Sequence, residues 1–354
     1  MENKTVFTID GRHLVGQTGG VQRYISEILG ELDKIAVPGM VEVLLPSSCK
    51  DRLEYRNIEI KRYGRLNGLL WEQTELPFYL LKNKRIGIFL CTIVPFLYPK
   101  GIAVVHDVMP ALFPDILKSM GFVTGRIFMA NLKTAVKRAS YPATVSENSR
   151  RDMQRVYGRS VEDIAVIPDA WQHILRVEAD DGWMAKYPQV KAGEYYFSLS
   201  ANRKQKNFHW IDMMARKYPD RLFLIAGTVE EWQNNEEIRA KNVIQLGYIS
   251  DSEIKSLMSN CRVFLFPSIY EGFGIPPMEA LACGARIIVS NTSCMPEIYG
   301  DSAYYIDPYD YNVDLDELLD GRVAPAEDCL GRFGWDKSAR ILLELCNKIK
   351  TESW

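Results

Sequence analysis

The chain has little of what marks a secreted or metal-loaded protein. Its seven cysteines are odd in number and no two stand in a Cys-x-x-Cys spacing, which argues against a disulfide framework and for a reducing compartment. The four histidines (His13, His106, His173, His209) contain no His-x-x-x-His pair, so no built-in metal is expected. The first residues, MENKTVFTID, carry no apolar signal stretch. The longest uncharged run, Ile86 to Pro99, contains Pro95 and is too short to cross a bilayer. A net charge of −2 leaves no general polyanion footprint, so nucleic acid is not an expected partner. These absences predict a cytoplasmic protein, with attachment at the inner face of the membrane as its only membrane association.

What is present is enough for two buried cores: 354 residues, 47% hydrophobic and 25% charged. Residues 1–170 carry 23 basic and 18 acidic side chains, whereas 171–354 carry 20 and 27, so the halves meet different partners. Short β-branched or aromatic runs alternate with helical patterns, which predicts α/β architecture with parallel sheets. Strands are expected at Thr5–Asp10, Val41–Pro46, Ile86–Cys91, Ala103–His106, Pro142–Ser146 and Ile164–Ile167, with helices near Val21–Asp33, Met120–Arg138 and Glu147–Tyr157. A second series runs through Tyr195–Ser198, Leu222–Ala226, Val243–Leu246, Val263–Phe266, Arg286–Ser290 and Ala303–Ile306. The expected organisation is two Rossmann-like doubly wound domains, 1–170 and 194–334, facing an interdomain cleft. The least patterned stretch, 171–193, is expected to be the linker, and the helix from Trp335, in 335–354, to pack back on the first domain or on the second. Ser250 to Glu253 reads as a capping box, and Asn207 as the cap of the helix that follows it.

Ligands of open parallel sheets sit beyond the carboxyl ends of the strands, where loops and helix starts present backbone N–H groups. The richest such loop is Ser268 to Glu279, with Glu271 and Glu279 eight residues apart, Gly272 and Gly274 for close backbone approach, and Pro276-Pro277 at a helix start. Carboxylates that accept from sugar hydroxyls beside a helix N-terminus that faces phosphate form a nucleotide-sugar grip. A second loop, Ser200 to Asn207, carries Arg203, Lys204 and Lys206, cations suited to a diphosphate leaving group. A third, Asp10 to Val21, ends in Gly19-Gly20 but lacks Gly-x-Gly-x-x-Gly, so a nicotinamide cofactor is not supported. A fourth, Val104 to Pro110, carries His106 and Asp107 at a strand end. Asp314-Leu315-Asp316 reads as an acidic helix start, not as a metal-binding Asp-x-Asp.

The string YEGFGIPPMEALACGARIIVSNTSCMPEIYGDSAYYIDP (270–308) resembles the donor-binding signature of glycosyltransferase family 4. His-Asp-x-x-Pro at His106 to Pro110, Gly20 to Tyr24, and Lys206-Asn207 match the same family, and Gln205 departs from it. The resemblance implies the GT-B fold and transfer of a sugar from a nucleotide-sugar donor with retention of configuration. It also implies that Glu271 and His106 serve the reacting sugar, with Glu279 on the ribose hydroxyls. Phe273, Gly274 and Ile275 would lie along the donor, Arg203 and Lys206 on its diphosphate, Gly19-Gly20 near donor or acceptor, and Asp107 would orient the loop or the acceptor. No metal and no cofactor are implied, since the nucleotide-sugar is a substrate. Retention proceeds through either a carboxylate nucleophile or a same-face displacement, and same-face displacement is the expected route.

The positive charge of the first half and the basic amphipathic pattern of Met120–Arg138 suit an anionic membrane surface and a lipid-linked saccharide acceptor for a cell-surface polysaccharide. A solvated or core-packed helix is the other reading of that pattern. Two alternatives to a transferase stand beside it: a nucleotide-sugar epimerase on the same fold, and an inactive subunit that supports a partner enzyme.

Overall fold

The structure is a computed structural model that describes residues 6–14, 19–50, 53–114, 121–199, 204–227 and 238–352. Thr5 and Met120, expected at element ends, and Arg203 lie outside the described residues. The chain forms two compact units, one from residues 1–169 with 335–354, the other from Ala170–Gly334.

In the first unit the strands are β1 (Phe7–Asp10), β2 (Val41–Pro46), β3 (Glu59–Tyr63), β4 (Ile86–Phe89), β5 (Gly101–Val105), β6 (Tyr141–Thr144) and β7 (Ala165–Val166). Their order is β3-β2-β1-β4-β5-β6-β7, and each neighbouring pair is parallel. β1, β2 and β5 are buried on both faces, which is why they read as continuous strand-forming runs. The edge strand β3 (EIKRY) is not expected from the sequence. It is charged and partly exposed, a composition that protects a sheet edge and hides it from pattern reading. A polar contact secures it: Lys61 and Thr8 both bond the buried carboxylate of Glu42, at 2.8 and 2.7 Å, and Tyr79 adds a third bond at 3.0 Å. Burial opposes that charge, but these bonds outweigh it and hold Glu42 below the usual carboxylate range.

A helical segment from Gly68 to Lys82 is likewise not expected. It contains a π-helical stretch, Trp71–Glu75, which turns Trp71 and Glu72 inward and breaks the 3.6-residue period. Trp71 is fully buried and donates to the Tyr63 carbonyl at 2.8 Å. Gln73 spans to the loop after β4, donating to Val94 O (3.1 Å) and accepting from Phe96 N (3.0 Å).

The second unit holds β8 (Tyr195–Leu199), β9 (Leu222–Ala226), β10 (Val243–Gly247), β11 (Val263–Phe266), β12 (Ile287–Ser290) and β13 (Tyr304–Ile306) in the order β10-β9-β8-β11-β12-β13, again all parallel. The capping box forms as read, with Ser250 Oγ accepting from Glu253 N and Glu253 bonding the Ser250 amide. Asp314 accepts from the amides of Asp316 and Glu317 and starts the helix Leu315–Asp320. Asn207 does not cap its helix. Its backbone is left-handed (φ 56°), and its side chain donates to Pro267 O (3.1 Å) and Pro308 O (2.8 Å) instead.

The stretch 171–193, expected as a linker, is built into the second unit. Trp183 is buried and donates to Ser256 Oγ at 2.8 Å, and Trp171 donates to Leu330 O at 3.0 Å. Its lack of periodicity reflects two 3-10 turns, Gln172–Arg176 and Asp181–Lys186. The helix Trp335–Glu352 belongs to the first unit, where Trp335, Ala339, Leu342, Cys346 and Ile349 form one buried stripe and Trp335 meets Tyr24 edge-on at 6.0 Å. Ser338 Oγ donates to Pro168 O at 2.7 Å, which fixes where the helix starts. Trp335→Ala is expected to destabilise the first unit by about 3–5 kcal/mol, and Glu344→Ala on the exposed face by less than about 0.5 kcal/mol, as read by urea denaturation.

Candidate functional site

Each sheet has a point where neighbouring strands send their connections in opposite directions, and the loops there diverge to leave a crevice. In the second sheet that point lies between β8 and β11. The loops that leave these strands are stapled together: Ile269 N donates to Gln205 O at 2.7 Å and Asn207 to Pro267 O, while the second Asn207 bond reaches Pro308 after β13. The staple brings Lys206 Nζ to 2.6 Å from Glu271 Oε1, with both side chains four-fifths or more buried. Lys206 also lies 5.3 Å from the centre of the Phe266 ring. The Glu271 backbone is clamped through Ser293 Oγ, which accepts from Glu271 N (3.2 Å) and donates to Glu271 O (2.7 Å).

Beyond Glu271 the chain turns through Gly274, whose left-handed φ of 89° favours glycine. Phe273 is buried with its carbonyl bonded by Cys294 Sγ at 3.3 Å, and Tyr299 donates to the Gly274 carbonyl. The helix Ile275–Ala282 starts there without a side-chain cap. Pro276 and Pro277 have no N–H, so its N-terminal donors are the amides of Gly274 and Ile275. Glu279 is one turn further on, buried, with Oε1 2.5 Å from His173 Nε2. A carboxylate, a cation and a helix N-terminus thus converge on one loop cluster, a charge pattern that suits a phosphorylated sugar.

In the first sheet the crevice lies between β1 and β4. Gly11 lets the chain leave β1 against β2, since a Cβ there would stand 2.6 Å from Val43 Cγ1. Gly19 and Gly20 are exposed at the start of the helix Gly20–Ile35, and a Cβ on Gly20 would meet nothing within 4 Å. His106 follows β5 and donates from Nε2 to Leu90 O at 3.0 Å, which leaves Nδ1 as an acceptor. Burial pushes its pKa down to about 4, against the pull of the Leu90 bond, so the ring is neutral at pH 7. Asp107 accepts from Met109 N at 2.8 Å and shapes the turn after β5.

Sequence reasoning missed the buried group behind these residues. Arg12 Nε lies 2.6 Å from Glu72 Oε1, and Arg12 Nη2 donates to His13 Nε2 at 2.9 Å. Asp10 Oδ1 accepts from Arg12 N at 3.0 Å. His13, Glu72 and Cys91 place ligand-type atoms within 4.8 Å of one another, among the described residues. Arg12 already supplies positive charge to this group. Asp10 Oδ2 and Glu72 Oε2 have no donor, and the two carboxyls interact with each other, so one proton held between them satisfies both. Burial first, then Glu72, pushes Asp10 up to about 8. The only local cue is the aspartate that ends the strand run FTID; Glu72 comes from the unexpected π-helical stretch.

Asp169, at the end of the first unit, is likewise raised to about 8 by burial. At these two aspartates the folded protein therefore binds more protons than the unfolded chain between the ordinary aspartate range and about pH 8. The stability these groups add is greatest in acid and is lost as pH rises through about 8, by up to about 1.4 kcal/mol per pH unit for each group. The melting temperature is expected to fall from pH 6 to 9, and Asp10→Asn to reduce that slope. An unchanged slope in a pH series of thermal melts refutes the protonated Asp10.

Residues 181–326 match the family model described as glycosyl transferases group 1. The O-antigen chain mannosyltransferase RfbU of Salmonella typhimurium is 30% identical over 319 residues, which span 84% of this chain and 85% of that protein. The serotype-specific mannosyltransferase WbdA of Escherichia coli is 25% identical over 276 residues, 69% of this chain and 33% of WbdA. Among solved structures, a sucrose-phosphate synthase from Thermosynechococcus elongatus has a TM-score of 0.72 at 14% identity, covering 99% of this chain and 100% of that one, a likeness of fold. With two parallel-sheet Rossmann-like units and this relatedness, the chain belongs to the group 1 glycosyl transferases, sugar-transferring enzymes of GT-B fold.

Proposed function

We propose that this enzyme is a retaining, metal-independent mannosyltransferase that adds mannose from a nucleotide-sugar, GDP-mannose as first candidate, to a lipid-linked saccharide in surface polysaccharide synthesis. The observation that carries the reading is the Lys206–Glu271 pair, 2.6 Å apart at the crevice of the second sheet and beside the helix N-terminus at Gly274. The mannosyl donor and the polysaccharide product follow the names of RfbU and WbdA.

In this reading the bond between the sugar's anomeric carbon and the diphosphate oxygen breaks, and the acceptor hydroxyl bonds the same face of that carbon. A phosphate oxygen takes the hydroxyl's proton. Lys206, Arg203 and the amides of Gly274 and Ile275 stabilise the charge that grows on the diphosphate. Glu271 faces the sugar, Phe273 backs the loop, and Glu279 accepts from ribose hydroxyls. In the first unit neutral His106 offers Nδ1 to a sugar hydroxyl, Gly19-Gly20 leave room at their helix start, and Asp107 orients its loop.

Membrane attachment is supported by the helix Phe122–Arg138. Leu132, Ala135 and Val136 face the core, while Phe122, Val123 and Ile127 are exposed, Phe122 at 76%, beside exposed Arg126, Lys133, Lys137 and Arg138. Apolar residues that insert and cations that meet anionic headgroups are the two parts of an interfacial helix. No described helix is long and apolar enough to cross a membrane.

Glu271→Gln is expected to lower transfer from GDP-mannose by at least about 100-fold with an unchanged melting temperature, and wild-type transfer to persist in EDTA. Unchanged turnover removes Glu271 from the mechanism, and loss in EDTA removes metal independence. Flotation with phosphatidylglycerol vesicles is expected to carry the protein upward, and Phe122→Ser with Val123→Ser to weaken that binding. Protein left at the bottom with wild-type sequence overturns the membrane reading.

A further inference from the structure

His173 has no part in the roles assigned above, yet it holds one of the residues that do. It stands in the 3-10 turn Gln172–Arg176, and its side chain is 2% exposed. The turn is tied down on either side of the ring: Trp171 donates to Leu330 O and Gln172 Nε2 to Phe333 O, both at 3.0 Å. Its Nε2 lies 2.5 Å from Glu279 Oε1, 106 positions along the chain, and the Glu279 side chain is 8% exposed. A carboxylate oxygen accepts, so the ring donates from Nε2. A buried carboxylate deprived of such a donor is left uncompensated, and its rotamer is no longer held.

We propose that His173 is a positioning residue for the nucleotide: it fixes Glu279 through Oε1 so that Oε2 accepts from a ribose hydroxyl. This rests on the reading of Glu279 as the ribose carboxylate. The ligand class is a ribonucleoside diphosphate, whatever its base, and the consequence is a preference for ribose over deoxyribose. A carboxylate already ordered by His173 loses little freedom when the ribose arrives, so the hydroxyl bond contributes fully to binding.

The test is calorimetric binding of GDP, UDP and ADP, each compared with its 2′,3′-dideoxy counterpart. Wild type is expected to prefer the tightest diphosphate over its dideoxy form by about tenfold or more, the worth of a hydrogen bond to a charged group. Glu279→Ala should reduce that ratio to within about twofold. His173→Asn and His173→Ala should do the same, while His173→Gln, whose amide nitrogen reaches the place of Nε2, should keep most of it. A merely structural role would weaken both ligands of a pair alike and leave the ratio. If His173→Asn melts like wild type and retains the full ratio, the proposal is overturned while the ribose reading stands. If Glu279→Ala retains the ratio, or wild type binds none of the three diphosphates, the ribose reading falls and the proposal with it.

Discussion

The bonds between the loop after β8 and the loop after β11 set up the rest of the second unit's chemistry. Gln205 O receives the Ile269 amide, and Asn207 reaches the carbonyls of Pro267 and Pro308 from a left-handed backbone. A non-glycine residue in that conformation costs about 1–3 kcal/mol. It persists because the side-chain amide satisfies two buried carbonyls. With the loops locked together, Lys206 and Glu271 face each other at a distance where their charges nearly cancel. The pair is preformed, and its partial exposure leaves both groups within reach of solvent.

The first unit solves a different electrostatic problem at the equivalent crevice. Three acidic or thiol groups, Asp10, Glu72 and Cys91, are buried with a single guanidinium. Arg12 neutralises one charge, and a proton retained by Asp10 removes the need for another. His13 and His106 both stay neutral, their pKa lowered by burial first. The loops at this crevice therefore rest on a set of buried hydrogen-bonding groups with little net charge. Such a setting suits sugar hydroxyls better than phosphate. The Lys206 cation and the helix N-terminus at Gly274 lie instead in the second unit, although that half of the sequence is the more acidic. Local placement of Lys206 and a helix N-terminus outweighs the sign of the average.

Strands buried on both faces could be read directly, because an apolar run of four to six residues between turns is too short for a helix and too apolar for a loop. β5, β11 and β12 are of this kind. β3 and the Gly68–Lys82 segment could not, since one is a charged edge and the other interrupts its own period with a π-helical stretch. The stretch 171–193 looked unpatterned because 3-10 turns bury isolated residues such as Trp183 and not a periodic face. Asn207 misled for a related reason: it is a good capping residue whose side chain found two better acceptors in distant loops.

By itself the sequence determined the two-sheet architecture and the family to which the chain belongs. These depend on periodicity and on short strings such as Glu271 to Glu279, where the residues that act together are neighbours in the chain. Only the tertiary structure decided which carboxylates are held, and by what: His173 on Glu279, Lys206 on Glu271, Arg12 on Glu72. It also returned the last helix to the first unit. Partners of this kind lie 60 to 106 positions apart. No spacing rule connects them, because what brings them together is the convergence of strand ends in a parallel sheet and the cost of leaving a buried charge unpaired.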